Sequence, residues 1–394
     1  MSTSRNLAAG LALIVCALLL VASSTIAQTV VFPPDIRTAP IIRGADTLKT
    51  HKFDQATHRI VDITSNKTLL AFNDAASTPA PELLGVVRAG DTVVAVFDGI
   101  ERLNVIHAGP GSSYAHHVDV WRGPSGGSAT RAQSATLTGG LGSKVRFFVA
   151  PAKSVRTSLV APQIFISIMQ TTDHDDVYQL RAGTKPNASP TAKLFRAYDY
   201  QFADFAHDGT YQIIAWRRQT YDLRCNFAIE SEHTYPEVYA STNGKYTKVW
   251  PLAEFYSPDA DAHRLEPNRA PSPGPTGQPV QIQATFADLF GNGAYEVVSL
   301  DDTISETPQQ SLATYKFKDG AFEVVSRVSI SPPKIAFLLS GVRTEKGKPQ
   351  IVLRQATPEK CKDGGDFDDA GTSELLFRFS DGQLWHDGPY IGVK

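Results

Sequence analysis

Five similar segments recur along the chain, each a short run rich in β-branched or aromatic residues that ends at a glycine. They are residues 118–123, 176–183, 237–244, 313–320 and 374–382, and their glycines are spaced 60, 61, 76 and 62 residues apart. The last three end in Asn-Gly or Asp-Gly, dipeptides typical of a β-hairpin turn. A spacing of this length, repeated along a chain, indicates a repeat architecture.

Each of the five units is predicted to contain four strands, A to D, with the glycine-terminated segment as strand C. Strand A is predicted at 92–97, 144–149, 200–205, 282–289 and 334–339, and strand B at 103–107, 163–169, 211–216, 295–300 and 349–353. Helical periodicity is nearly absent beyond the N-terminal region. The pattern predicts an all-β fold and a β-propeller of four-stranded blades, which protects its sheet edges by closing into a ring. A pair of β-sandwiches is the alternative.

The number of blades is five or six. A predicted hairpin at 58–72 precedes the five units, and it either completes the last blade or represents a sixth. The domain prediction is therefore a signal peptide at 1–27, an extended lead-in at 28–57, and a single propeller domain at 58–394.

The first 27 residues have the three parts of a secretory signal peptide. Arg5 is their only charged residue, an apolar run covers 11–21, and small residues lead to Ala27. We expect cleavage after Ala27 and a secreted or periplasmic protein, with a retained N-terminal anchor as the alternative. The remainder has 37 basic and 40 acidic residues, without a basic run or a second long apolar stretch. These features argue against a nucleic-acid partner and against a membrane span after cleavage.

Two predicted A–B junctions share an Asp-rich pattern. Residues 202–214 read Phe-Ala-Asp-Phe-Ala-His-Asp-Gly-Thr-Tyr-Gln-Ile-Ile, and residues 286–298 read Phe-Ala-Asp-Leu-Phe-Gly-Asn-Gly-Ala-Tyr-Glu-Val-Val. This pattern resembles the FG-GAP and VCBS-type repeats of integrin-alpha-like propellers, and it is clear in two of the five units. The resemblance implies a propeller whose A–B loops often bind calcium through carboxylates at alternate positions.

Both loops depart from that calcium pattern at the middle position, which is Ala206 in one loop and Phe290 in the other. The candidate ligands that remain are Asp204, Asp208, Asp288 and Asn292. Calcium needs several oxygen ligands, so the missing one disfavours binding, and we expect no cofactor. The two aspartates are instead predicted to cap turns, with Gly209 and Gly293 supplying the turn conformation.

Many of the residues capable of chemistry fall in the predicted B–C connections, which share one face in an up-and-down blade. The candidate ligand-binding residues there are Tyr114, His116, Asp173, His174, Arg217, Tyr221, Glu232, His233, Asp302 and Asp366. Charged and aromatic groups on loops of a rigid scaffold are typical of a binding site. No metalloprotease, nucleophile-elbow or P-loop motif occurs in the sequence.

These features favour a secreted binding module that engages a polysaccharide, a protein or a cell-surface ligand through its B–C loops. The alternative is an extracellular carbohydrate-active hydrolase or lyase that uses carboxylates and histidines of the same face. A purely structural exported repeat protein is a third hypothesis, because one fold supports all three roles.

Two cysteines remain after signal cleavage, and they occupy equivalent positions in two units. Cys225 and Cys361 both lie in long predicted B–C loops, in units three and five. In an oxidising compartment such a pair is expected to form a disulfide, unless the loops are too far apart to be bridged.

Overall fold

A computed structural model describes residues 38–39, 41–73, 79, 81–103, 113–140, 142–150, 164–171, 174–180, 193–222, 230–242, 245–251, 280–303, 309–330, 337–355 and 374–387. The chain divides into two compact units, Met1–Pro34 and Asp35–Lys394, and all of these residues belong to the second. In the described segments, no helix has both the length and the apolar character needed to cross a bilayer.

The described residues form six β-sheets and one short helix, α1 (Gly44–Thr47). Sheet 1 contains β3 (His51–Asp54), β4 (Arg59–Asp62), β5 (Thr68–Ala71) and β9 (Gly127–Ser128). Sheet 2 contains β6 (Glu82–Ala89), β7 (Thr92–Leu103), β8 (Ser113–Pro124) and β10 (Thr130–Gly139). Sheet 3 contains β2 (Ile42–Arg43), β11 (Val145–Val149), β12 (Ile164–Thr171), β13 (His174–Leu180) and β14 (Lys193–Ala197).

Sheet 4 contains β1 (Thr38–Ala39), β15 (Asp199–Ala203), β16 (Gln212–Asp222), β17 (Glu230–Thr242) and β18 (Lys245–Trp250). Sheet 5 contains β19 (Val280–Ala287), β20 (Glu296–Thr303), β21 (Gln309–Lys318) and β22 (Ala321–Ile330). Sheet 6 contains β23 (Phe337–Glu345), β24 (Lys348–Gln355), β25 (Glu374–Ser380) and β26 (Gln383–Asp387). The all-β fold and the four-stranded antiparallel units predicted from the repeats are confirmed.

The predicted strand boundaries of unit one are wrong. The sequence predicts separate strands at 92–97 and 103–107, whereas Thr92–Leu103 form the single long strand β7. The first strand of this sheet is β6, which reaches β7 through a turn at Gly90, where φ is 58°. A bulge between Leu83 and Gly85 interrupts the alternation of β6, which obscures its strand pattern in the sequence.

The predicted hairpin at 58–72 forms part of a separate sheet. Strands β4 and β5 pair with each other and with β3, while sheet 6 is completed by its own four strands. The fourth strand of sheet 1 is β9, which comes from the connection between β8 and β10 and pairs in parallel with β5. The sixth-unit alternative is therefore the one observed.

Sheets that follow one another in the chain pack against each other. Strand β7 illustrates why: Val93, Ala95 and Phe97 contact the core shared with sheet 1, whereas Val94 and Val96 contact the core shared with sheet 3. Because successive side chains of a strand point to opposite faces, a strand buried on both faces is apolar throughout. The next sheets pack in the same way. Phe148 and Phe202 contribute to the core between sheets 3 and 4, and Phe205 contacts Phe286 between sheets 4 and 5. Leu300 and Phe377 belong to the core between sheets 5 and 6.

Residues 38–47, within the segment predicted as a lead-in, contact the first strands of three consecutive sheets. Strand β1 pairs with β15, β2 pairs with β11, and α1 packs on β6. A Cβ on Gly44 would lie 2.1 Å from the carbonyl oxygen of Leu84, so only glycine fits there. Thr47 Oγ1 accepts the backbone N–H of Val86 at 2.9 Å, which fixes α1 to β6.

Candidate functional site

The hairpin between the second and third strands of sheet 4 extends beyond its neighbours. The last residue pair between β15 and β16 joins Asp199 to Trp216, whereas β16 and β17 continue pairing as far as Asp222 and Glu230. Residues 217–222 and 230–235 therefore form a two-stranded arm, here called the sheet 4 arm.

The sheet 4 arm carries four of the predicted ligand-binding residues. By backbone position, Arg217 and Tyr221 lie on one strand, and Glu232 and His233 lie on the other. The structure describes the side chain of Arg217 alone among these four. The sequence analysis assigned these residues to a B–C loop, whereas the structure places them in the paired strands β16 and β17.

Glu237 lies at the base of the arm and is 1% exposed. Its Oε2 accepts a hydrogen bond from the Tyr239 hydroxyl at 2.6 Å and one from Arg217 Nη1 at 3.4 Å. Lys248 Nζ lies 3.6 Å from Oε1. Burial lowers the pKa of Lys248, and Arg217 lowers it further, while Glu237 partly offsets both effects. A buried carboxylate therefore lies beneath two cationic side chains.

Asp176 in sheet 3 has the same kind of environment. Its two oxygens accept hydrogen bonds from Arg196 Nε at 2.8 Å and Arg196 Nη2 at 3.2 Å, and Lys193 Nζ lies 3.5 Å away. Burial alone would raise the pKa of Asp176, but the hydrogen bonds and charges of Arg196 and Lys193 outweigh it, so the pKa is lowered. The bidentate pair holds Arg196 in one orientation.

These two groups lie near each other where sheets 3 and 4 pack. The rings of Phe195 and Tyr239, from the two sheets, lie 5.0 Å apart. Asp176 raises the pKa of Arg196, and the nearby charge of Arg217 partly offsets that effect. The cationic patch is defined here as Lys193, Arg196, Arg217 and Lys248, above Asp176 and Glu237. The carboxylates are almost fully buried, whereas the side chains of Lys193 and Arg196 are 43% and 36% exposed. The accessible layer of the patch is therefore positive.

A second polar group lies in sheet 2, around the predicted ligand residue His116. Its Nδ1 lies 2.8 Å from Asp98 Oδ2, and its Nε2 lies 2.9 Å from the hydroxyl of Ser143. His116 is 1% exposed and Asp98 2%, while Ser143 is half-buried. Burial raises the pKa of Asp98, and His116 partly offsets that effect. Sequence reasoning found His116 but missed both partners, because they come from other strands and connections.

A cleft of about 630 Å³ lies between sheet 1 and the start of sheet 2. Its lining includes His51, Lys52, Glu82 and Asp98. The cleft therefore reaches the Asp98 end of this polar group.

The remaining predicted ligand residues are dispersed. Tyr114 is half-buried on β8, His174 is half-buried on β13, and Asp302 lies on β20. Asp173, Asp366, Cys225 and Cys361 lie outside the described residues. Sheet 3 separates His116 in sheet 2 from Arg217 in sheet 4, so the described candidates form two groups rather than one pocket.

The turn-capping role predicted for Asp204 and Asp288 is confirmed. The two oxygens of Asp204 accept the backbone N–H groups of Asp208 at 3.1 Å and Gly209 at 2.8 Å. Asp288 does the same for Asn292 at 3.0 Å and Gly293 at 2.8 Å. Both glycines have φ of 82°. Within the described ranges, no three His, Cys, Asp or Glu side chains are grouped as a metal site.

One further residue of each loop was missed from the sequence. Gln212 Oε1 accepts the N–H of Phe205 at 3.1 Å, and Glu296 Oε2 accepts the N–H of Leu289 at 2.9 Å. Glu296 is fully buried, its Oε1 has no hydrogen-bond partner among the described residues, and burial raises its pKa to about 7. The sequence does contain a pattern that could have identified these two residues, because each lies eight positions after the aspartate of its loop.

No protein-family model matches the chain, and no curated protein is significantly similar to it in sequence. The resemblance to FG-GAP and VCBS-type repeats therefore rests on residues 202–214 and 286–298 alone.

Proposed function

We propose that this chain is an exported β-propeller, similar to FG-GAP and VCBS-type propellers, that binds an acidic polysaccharide outside the cytoplasm. The observation that carries the proposal is the cationic patch beside the base of the sheet 4 arm, where two buried carboxylates pair with four cationic side chains, of which Lys193 and Arg196 are the most exposed. Export is supported by the signal-peptide pattern of residues 1–27.

Two features of the sheets support a propeller. Consecutive four-stranded meanders pack face to face in chain order. Residues 38–47 contact the first strands of sheets 2, 3 and 4. The first strand of each blade lines the centre of a propeller, so a single short segment placed there reaches several blades.

The patch lies at the end of the sheets where the B–C loops are expected. In an antiparallel meander, the connection from the second to the third strand and the connection to the next sheet share one end. Arg196 is near the end of β14, Lys248 is in the last half of β18, and Arg217 is at the start of the arm. The cationic patch and the arm therefore form one continuous candidate surface.

The chemistry of the patch favours an anionic ligand. Arginine and lysine donate charge-assisted hydrogen bonds to carboxylate or sulfate oxygens, which are stronger than bonds between neutral groups. The whole chain has a net charge of −2, so this positive surface is local. A polysaccharide with repeated carboxylates would contact the patch and the neighbouring arm together.

Calorimetric titration of the mature protein with polygalacturonate tests this proposal, with neutral dextran as the control polymer. We expect polygalacturonate to bind, with an affinity that falls as sodium chloride is raised from low to physiological ionic strength. The absence of binding at low salt, or equal binding of dextran, would refute the acidic-polysaccharide assignment.

A further inference from the structure

Three polar side chains form an unbroken line of hydrogen bonds between sheets 2 and 3. Asp98 Oδ2 lies 2.8 Å from His116 Nδ1, and His116 Nε2 lies 2.9 Å from Ser143 Oγ. Asp98 is on β7 and His116 on β8, where His116 pairs with Ile100, two residues from Asp98. Ser143 lies in the connection between β10 and β11, so the line depends on the packing of two sheets.

The order of the three groups allows one arrangement that prepares a nucleophile. In the tautomer with the proton on Nδ1, His116 donates to the Asp98 carboxylate, and Nε2 accepts the hydrogen of the Ser143 hydroxyl. A hydroxyl held by a base that is oriented by a third group is the arrangement that activates a serine nucleophile.

Ser143 is the accessible member of the three. It is half-buried, whereas the other two are almost completely buried. The preceding residue, Gly142, has φ of 76°, and no atom lies within 4 Å of the position that a Cβ would occupy there. Ser143 Oγ itself packs closely on Gly139, where a Cβ would lie 2.3 Å from it, so the glycine is what makes room for the serine side chain.

We propose that Ser143 is the nucleophile of an esterase site, with His116 as its general base and Asp98 as a positioning residue. Ser143 Oγ attacks the carbonyl carbon of a carboxylic ester while its proton passes to His116 Nε2. The ester C–O bond breaks, and the alcohol leaves with that proton. Water, deprotonated by His116, then attacks the acyl-serine, releases the carboxylic acid and regenerates Ser143. This activity is independent of polysaccharide binding at the cationic patch.

The test is covalent labelling of the mature protein with a fluorophosphonate, read by mass spectrometry of the modified peptide. We expect labelling of Ser143, hydrolysis of p-nitrophenyl acetate, and loss of both in Ser143→Ala but not in the control Ser134→Ala on β10. Asp98→Asn is expected to slow labelling by about 100-fold and to shift its pH profile, because His116 then loses the carboxylate that orients it as a base. Thermal melts compare the folding of all variants.

Absence of the label from Ser143 in folded wild-type protein would overturn the proposal. So would an Asp98→Asn variant that remains folded and is labelled at the wild-type rate with an unchanged pH profile. Either result would make the three residues a structural link between sheets 2 and 3.

Discussion

Gln212 and Glu296 occupy equivalent positions in neighbouring loops, where each accepts the backbone N–H of the residue after the loop aspartate. The two loops are also bonded to each other, because the N–H of Tyr295 donates to the carbonyl of Phe205 at 2.9 Å. One loop therefore uses a neutral amide where the other uses a buried carboxyl group.

This difference predicts a pH-dependent stability. The pKa of Glu296 is raised to about 7, mainly by burial and also by Asp288, against the lowering effects of the Leu289 N–H and of Lys316 on β21. The protonated form is favoured in the folded state, so the stability that it contributes is complete below the ordinary pKa of 4.5 and is lost as pH rises through 7. The loss is on the order of 3 kcal/mol, since one pKa unit corresponds to about 1.4 kcal/mol.

Urea unfolding of Glu296→Gln at pH 5 and pH 8 measures the effect. We expect the variant, which copies Gln212, to lose most of the pH dependence of the free energy of unfolding. Glu323→Gln, on the exposed face of β22, is the control and is expected to retain it. An unchanged pH dependence in Glu296→Gln would contradict this account.

Calcium removal is predicted to have little effect on the melting temperature. Both oxygens of Asp204 and of Asp288 accept backbone N–H groups, and the middle ligand of a calcium loop is missing in each case. Differential scanning calorimetry with and without EDTA is the measurement. A decrease of many degrees on chelation would show that these loops hold an ion that contributes to folding.

A disulfide between Cys225 and Cys361 is predicted for the exported protein. It would close a loop of about 136 residues and contribute about 4–5 kcal/mol in the chain-entropy model. Mass spectrometry of the unreduced, alkylated protein is expected to find the cross-linked peptide pair. Two alkylated cysteines without that cross-link would exclude the bond.

The packing of α1 on sheet 2 is predicted not to tolerate a side chain at Gly44. Gly44→Ala would place a methyl group 2.1 Å from the carbonyl oxygen of Leu84, so we expect a destabilisation of about 1–3 kcal/mol or more. Ala45→Ser is the control, because Ala45 is exposed on the same helix. Urea unfolding compares the two variants, and equal stability would mean that α1 does not pack on β6 in solution.

Much of the secondary structure was predictable because its signals are local. Alternating apolar residues and turns such as Asp319-Gly320 predict strands in sheets 3 to 6 near observed positions, although no strand is predicted at β14. Strand β9 is only two residues long, and its pairing with β5 is a long-range contact that no local pattern specifies. The candidate site was harder still, since the pairing of Asp98 with Ser143 through His116 depends on how two sheets pack.

The cationic patch was likewise only partly predictable. Arg217 is a candidate ligand-binding residue of a predicted B–C loop, but its neighbours Lys248 and Arg196 are brought to it by strand register and by the packing of sheet 4 on sheet 3. Their partners Glu237 and Asp176 are buried in the sheets, where sequence alone predicts apolar residues.

The most direct test of the account is the affinity of Lys193→Gln/Lys248→Gln for polygalacturonate. Both buried carboxylates keep an arginine partner in this variant, so we expect it to fold. The two substitutions remove the excess positive charge of the patch, because the two remaining arginines only balance the two carboxylates. We predict that affinity falls by about tenfold or more, because each charge-assisted hydrogen bond contributes about 1.5–3 kcal/mol. Lys318→Gln, an exposed lysine on β21, is the control and is expected to bind like wild type. Wild-type affinity in the folded double variant would contradict the assignment of ligand binding to this patch.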